Sequence, residues 1–551
     1  MKALKTILVE TSSCYRNTRL AKRTSVLLNT NHASGSRSTS SVLGSLLHSN
    51  PAHLAQQEAY FSLWLSKAMH GNHDHDDHHH DIISEEELLP TPKKTIINIR
   101  QPPIPTSEID FANVVSDSEG SAHPTIQSEL NSLKSERAEE RKKRRERTAN
   151  YLQQPIEERI KVLSKYFGGQ IPQLGVPVNL TREQIISVLN MESLVDQRAL
   201  FDYANSITES IYGNKVYFRG IIEFSNVCQK DCKYCGIRKH MKVPRYTMPK
   251  EEIIEQAVWA YENHFGSIML QSGELNTEGR IAMLEEVIHE IKKRTGGGGP
   301  GEWNKGLGIA LGVGELGRES YQRLYNAGAH RYLLRIETSN PELYKKLHPN
   351  DSKHVWEERR DCLKTLMDIG YQTGTGVMIM IPGQTVDDLA SDLLFFRDIG
   401  ADMIGMGPYI VQEDTPIGEE WMKLYGHLNE EEKKEYNRKL FRLSLKMTAL
   451  ARILIPEANI SATTALQAIN PAGREIALNS GANMVMPIIT PTKYRVNYQL
   501  YQGKPCIDDT KEECKRCLTD RVKWSNKHLM LDEWGDPISY FKKRQMQVPT
   551  K

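Results

Sequence analysis

From residue 216 onward the chain repeats one pattern, a short apolar run followed by a longer stretch with helical spacing. The runs are "VYFRGIIEF", "SIMLQ", "LGIALGV", "RYLLRI", "TGVMIMI", "DMIGMG", "NISAT" and "NMVMP". Between them, apolar residues at helical intervals predict helices over 249–263, 280–294, 352–370, 384–399 and 430–452. Thr385 with Asp388 opens one of these as a capping-box-like pair, and Gly400 ends it. Eight strands alternating with helices predict an α/β fold, a closed (β/α)8 TIM barrel over residues 216–490. That length suits the roughly 250 residues such barrels use.

A barrel of this kind carries its active site at the carboxyl ends of its strands. "FSNVCQKDCKYCG" follows the first strand directly and holds Cys228, Cys232 and Cys235. Three thiolates at this spacing can occupy three corners of one iron–sulfur cube and leave the fourth iron without a protein ligand. A disulfide with a spare thiol and a zinc knuckle are the alternatives, and His240 is the one nearby fourth ligand for zinc. "QSGE" (271–274) ends the second strand and "RIETSN" (335–340) the fourth. Arg335 and Glu337 stand two apart, so on a strand both would point into the barrel. A buried Arg–Glu pair is either functional or a satisfied interior ion pair.

The front of the chain has another character. Its first forty residues hold seven Lys or Arg against the single acid Glu10 and are rich in Ser and Thr, as organellar transit peptides are. "HGNHDHDDHHHD" is a solvated low-complexity linker, with metal chelation as its alternative. "KSERAEERKKRRERTANYL" pairs acids with bases four residues on, which predicts an exposed helix. The capping-box spacing of Thr181 and Gln184 opens "LTREQIISVLN" as a helix. The chain therefore divides into a transit peptide (1–40), a His-rich and charged linker (41–160), a helical lead-in (161–215), the barrel (216–490) and a closing C-terminal segment (491–551).

A net charge of +2 on 551 residues argues against nucleic acid as a partner. No apolar run approaches the roughly 18 residues of a membrane span. Eight cysteines are too few for a disulfide scaffold in so long a chain. Cys362 falls within an amphipathic helix as a core thiol, and Cys14 in the presumed presequence. "GGGG" at 296–299 lacks the Lys-Ser/Thr of a phosphate loop and is an insertion.

"CQKDCKYC" resembles the defining motif of the radical S-adenosylmethionine (SAM) superfamily. The resemblance implies a 4Fe–4S cluster on Cys228, Cys232 and Cys235, SAM on its fourth iron and Tyr234 near the adenine. It implies reductive cleavage of SAM to a 5′-deoxyadenosyl radical. "RGIIEFSN", "CGIR", "RYTM", "LQSGE", "YLLRIETSNPELYKKLHP", "PGQT", "GMGPYI" and "GANMVMP…TPTKYRVNYQLYQGKPC" together resemble the HydE family of FeFe-hydrogenase maturases, biotin synthase-like proteins that assemble the two-iron subcluster of the H-cluster. That resemblance places Gln271, Ser272, Gly273 and Glu274 against SAM and the reacting molecule. It places Arg335, Glu337 and Arg359 around the methionyl group of SAM, Arg335 and Glu337 being the catalytic candidates. Ser272, Met406, Tyr498 and Tyr501 would line the substrate cavity. Its partners would be the maturases HydG and HydF, the hydrogenase indirectly, and a low-potential donor such as ferredoxin, with neither nucleic acid nor membrane.

"CIDDTKEECKRC" resembles an accessory iron–sulfur site on Cys506, Cys514 and Cys517, a second cluster for which zinc is the alternative. The front extension departs from bacterial members of the family and points to a mitochondrion-related organelle such as a hydrogenosome, or else a plastid. Biotin synthase, methylornithine synthase and a non-catalytic iron–sulfur carrier are the competing functions. The polar rim residues Glu274, Arg335 and Glu337 speak against a carrier, which needs no polar cavity.

Overall fold

Lys215–Ser225 forms an eleven-residue strand, β1, whose Val216, Tyr217, Phe218, Ile222 and Phe224 are buried toward both faces. Burial on both faces is what a parallel sheet covered by helices requires. The computed structural model describes residues 153–297 and 305–545, together with Glu139, Asn150 and Tyr151. The expected transit peptide, the His-rich linker, nearly all of the charged helix and the core of the glycine insertion lie outside the described residues, as does Cys14.

Seven further strands follow: β2 Ser267–Ser272, β3 Gly308–Gly312, β4 Arg331–Leu333, β5 Gln372–Thr375, β6 Met403–Ile404, β7 Asn459–Ile460 and β8 Met484–Val485. All pair in parallel and in chain order from β1 to β7, with Arg219 opposite Ser267, Ser267 opposite Gly308 and Arg331 opposite Gln372. β8 pairs with the other side of β1, Tyr217 opposite Met484. The ring closes where Ser461 bridges Met484 and the Asn483 N–H donates to Ile460 O at 3.0 Å. A late strand, β9 (His528–Met530), lies in parallel along the start of β1.

The predicted helices appear as Lys250–Glu262, Glu278–Arg294, Trp356–Ile369, Val386–Ile399 and Glu430–Leu454. Both capping boxes form: Thr181 with Gln184, and Thr385 with Asp388. Gly400 ends its helix with φ +72°, a left-handed conformation that glycine adopts without a Cβ clash. Cys362 is half-buried and packs on the main core.

Two strands differ from their sequence patterns. The fifth begins at Gln372 rather than Thr375, and its apolar continuation Met378–Ile379 pairs separately with Gly407–Pro408. The break falls at Gly376, where a Cβ would sit 1.9 Å from Gly405 O, so only glycine allows the two backbones to come this close. The fourth strand ends at Leu333, so Arg335 and Glu337 lie just beyond it and not on it. There the Ile336 N–H bonds Thr375 Oγ1 at 3.1 Å, and Glu337 turns to φ +69°. Strand alternation therefore does not set where these two side chains point.

Candidate active site at the barrel mouth

The cysteine loop is held from three directions by backbone hydrogen bonds. The Gln229 N–H donates to Glu274 O at 2.7 Å, the Lys233 N–H to Leu347 O at 2.9 Å, and the Gly236 N–H to Leu500 O at 2.9 Å. The loop thus contacts the ends of β2, the segment after β4 and the C-terminal segment together. Gly273 is required at this contact, because a Cβ there would lie 2.5 Å from Val227 O and 2.8 Å from the Cys228 Cβ. Burial raises the thiol of Cys228, carries that of Cys232 well above its usual value and pushes that of Cys235 up to about 12. Cluster loading therefore displaces thiol protons.

Beside the loop lies a buried ionic network. Arg359 Nη1 contacts Glu274 Oε1 at 3.0 Å and Glu315 Oε1 at 2.6 Å, while its Nε donates to Arg335 O at 2.6 Å. Lys230, from within the cysteine loop, donates to Glu315 Oε2 at 2.7 Å and to Lys353 O. The Glu315 N–H in turn reaches Glu274 Oε2 at 3.1 Å. Burial pushes the Glu274 carboxyl up, but Arg359 and Lys230 outweigh it and hold the group below its ordinary value. Two cations and two anions then balance in a site with little water.

Arg335 Nη2 lies 3.1 Å from Glu337 Oε2, at an angle that makes no hydrogen bond. These two atoms and Arg335 Nε are buried without a hydrogen-bond partner among the described residues. Unsatisfied buried donors and acceptors are costly, so this pair fits a polar ligand better than a finished structural ion pair. An amino acid group such as the methionyl end of SAM suits one cation and one anion side by side. The cysteine loop, its close approach to Gly273 and this unsatisfied pair fit a cluster with SAM.

The other predicted residues are placed as follows. Tyr234 packs with Leu343, Leu347, Met378, Ile381, Tyr409 and Ile417, and its hydroxyl lies 3.4 Å from His348 Nε2. Burial lowers His348 to about 3, so the ring is neutral and donates from Nδ1 to Tyr344 O at 2.8 Å. Gln271 Nε2 reaches Tyr498 Oη at 3.3 Å, and Ser272 Oγ donates to Gly273 O at 2.8 Å. Tyr498 is buried and Tyr501 half-buried. Met406 belongs to the main core cluster, packed among apolar side chains. In the tail, Cys514 is buried and its thiol is hydrogen-bonded with that of Cys506, both free, while Cys517 is exposed and accepts a hydrogen bond from Arg521 at 3.3 Å. Among the described residues, no three His, Cys, Asp or Glu side chains converge as a single metal ion would require. A cube takes its thiolates at separate corners and does not need that convergence. His240, the fourth ligand a zinc site would use, is exposed and engaged by Asp231 at 2.9 Å.

Sequence reasoning missed Lys230, Glu315 and the interior pair Glu223–Lys504. Glu315 follows β3, so the rule that located "QSGE" and "RIETSN" would also have found it. Lys504 donates to Glu223 and to Tyr498 O at 3.1 Å, and its ammonium lies 5.2 Å from the Tyr498 ring centre. Nothing in the spacing of "YQGKPC" signals that partner.

The radical SAM superfamily profile matches residues 222–396. The chain is 42% identical over 356 residues to the [FeFe] hydrogenase maturase subunit HydE of Thermotoga maritima, covering 64% of this chain and 93% of that protein. It is 24% identical to 3-methylornithine synthase of Methanosarcina barkeri, over 57% of this chain and 80% of that one. Among solved structures, methylornithine synthase superposes with a TM-score of 0.52 at 21% identity, over 67% of this chain and 98% of that chain. The maturase HydG from Carboxydothermus hydrogenoformans superposes with a TM-score of 0.51 at 18% identity, over 67% of this chain and 78% of that chain.

Proposed function

The chain belongs to the HydE family of radical SAM [FeFe]-hydrogenase maturases, and from that premise we propose that it serves assembly of the two-iron subcluster of the H-cluster. The observation that carries this is the cysteine loop beside the Arg335–Glu337 ion pair, whose facing atoms are buried without a hydrogen-bond partner among the described residues. Cys228, Cys232 and Cys235 hold a 4Fe–4S cluster, and SAM is the cosubstrate. Together these supply a 5′-deoxyadenosyl radical to the barrel interior.

The chain's own residues bind, orient and exclude water. Arg335 and Glu337 meet the charged ends of the SAM methionyl group. Arg359, neutralised by Glu274 and Glu315, fixes the backbone of Arg335 through its carbonyl. Gln271, Tyr498 and Ser272 offer polar groups to an anionic substrate, which suits a cyanide-bearing iron complex better than an apolar molecule.

HydG works in the same maturation, with HydF and a ferredoxin-type donor as further partners. Cys506, Cys514 and Cys517 would hold an accessory cluster after a rearrangement that brings Cys517 inward. The basic, acid-poor first forty residues support import into a hydrogenosome or related organelle, with a plastid as the alternative. The test is anaerobic activation of apo-hydrogenase by HydG, HydF and the full chain, beside Cys232→Ala. Hydrogen evolution with the intact triplet and none with the variant is expected. SAM cleavage retained by the variant would refute the ligand assignment.

A further inference from the structure

Between Cys228 and Lys250 the sequence carries six Lys or Arg against one acid, Asp231. The structure places four of these bases in two contrasting roles. Lys230 and Arg245 turn inward and act as anchors. Arg245 reaches five backbone carbonyls, those of Asn226, Ile237, Arg238, Lys239 and Met241, at 2.5–3.2 Å. It thereby ties the segment before the first cysteine to the segment after the third. Asp231 takes both Arg238 nitrogens at 2.7 and 2.6 Å, and the Lys239 N–H bonds Lys230 O at 2.8 Å. Residues 237–243 are therefore fixed directly onto the cysteine loop.

The second kind faces outward. Lys239, His240 and Lys242 are exposed, and among the described residues neither lysine forms an ion pair. Asn226 Nδ2 donates to both Pro244 O at 2.8 Å and Asn497 O at 2.7 Å, which brings the neighbouring Val496 beside this loop. Among the described residues, Val496 is one of few large apolar side chains left more than half exposed. A rigid cationic rim next to an exposed apolar residue is the composition of a protein docking surface, not of a solvated tail. The amino acids of a merely soluble loop would not need five carbonyl anchors.

We propose that residues 237–243, with Val496, dock a small acidic iron–sulfur electron carrier, from which one electron passes to the cluster held by the adjoining cysteines. The carrier is oxidised by one electron and the cluster reduced by one. This rests on the radical SAM function above, which requires an electron from outside. Docking here puts the carrier against the loop that holds the cluster, and the lysine charges steer an anionic partner toward it.

The experiment uses the full chain and the double variant Lys239→Glu/Lys242→Glu, both exposed side chains outside the cysteine triplet and the ionic network beside it. Binding of a purified ferredoxin of net negative charge is titrated calorimetrically at low and high salt. SAM cleavage is driven in parallel by dithionite and by that reduced ferredoxin. The expected result is ferredoxin binding weakened at least about tenfold, with a flatter salt dependence, and a raised KM for the carrier. Cleavage with dithionite stays unchanged. Unaltered binding and unaltered carrier-driven cleavage would overturn the proposal. Loss of cleavage with both reductants and intact binding would overturn it too, since the loop would then serve only the cluster. If the unsubstituted protein cleaves no SAM with dithionite, the radical SAM function fails, and the binding titration still decides the docking surface.

Discussion

At the scale of single residues, the site depends on charges that cancel inside the protein. Arg359 is buried against Glu274 and Glu315; burial alone would lower the guanidinium's pKa, but those two carboxylates outweigh it and hold the group well above its ordinary value. Replacing one member leaves the others buried and unpaired. Arg359→Met is expected to destabilise the fold by about 3 kcal/mol and to weaken SAM binding, read by thermal unfolding and by equilibrium dialysis of SAM. Wild-type stability in this variant would mean that Glu274 and Glu315 tolerate the site without it. Gly273 acts at the same scale, because only a residue without a Cβ lets β2's end meet the first cysteine.

Among the elements, the helix Val386–Ile399 supports the turn after Glu337. Its Asp392 is buried, and one carboxylate oxygen accepts both the N–H and the hydroxyl of Ser339 at 2.6 Å. Burial raises this carboxyl from 3.8 to about 7, against the lowering effect of those hydrogen bonds. The folded chain thus holds a proton that the unfolded chain has already released between these two values. Stability from this group is full below about pH 4 and is lost as pH rises through about 7. Asp392→Asn removes the titration and keeps an acceptor for Ser339. Its melting temperature relative to wild type should therefore rise from pH 5 to pH 8. An equal difference at both values would show that Asp392 ionises in the folded protein as it does in the unfolded one.

For the whole molecule, the barrel has a reactive end and a closed end. Opposite the cysteines, Trp534 and Asp536 lie across the starts of the strands. Arg331 donates to Trp534 O at 3.0 Å and pairs with Asp536, while Asn459 reaches Gly535 O at 2.7 Å. Burial lowers His330 to about 4, so it stacks on Trp534 as a neutral ring, 4.5 Å between centres. Asp536→Ala leaves the fully buried Arg331 without its carboxylate. A loss of about 3–5 kcal/mol is expected in denaturant unfolding, since the plug holds both sides of the ring. A loss within about 0.5 kcal/mol, as for an ordinary surface site, would mean that the closing segment is dispensable. No helix among the described residues is long and apolar enough to cross a membrane.

The sequence alone determined the alternation of strands and helices, the two capping boxes and the cysteine triplet. Each is written in spacings of a few residues, where backbone periodicity and local hydrogen bonds leave a direct trace. It also placed "QSGE" and "RIETSN" at one rim, because strand order converts chain position into depth along a barrel. The tertiary structure alone decided the partners of those residues. Lys504 meets Glu223 across 281 positions and Arg359 meets Glu274 across 85. It also decided that β4 stops before Arg335 and that β5 breaks at Gly376. Ion pairs and backbone approaches between distant segments carry no period along the chain, and only packing brings them together.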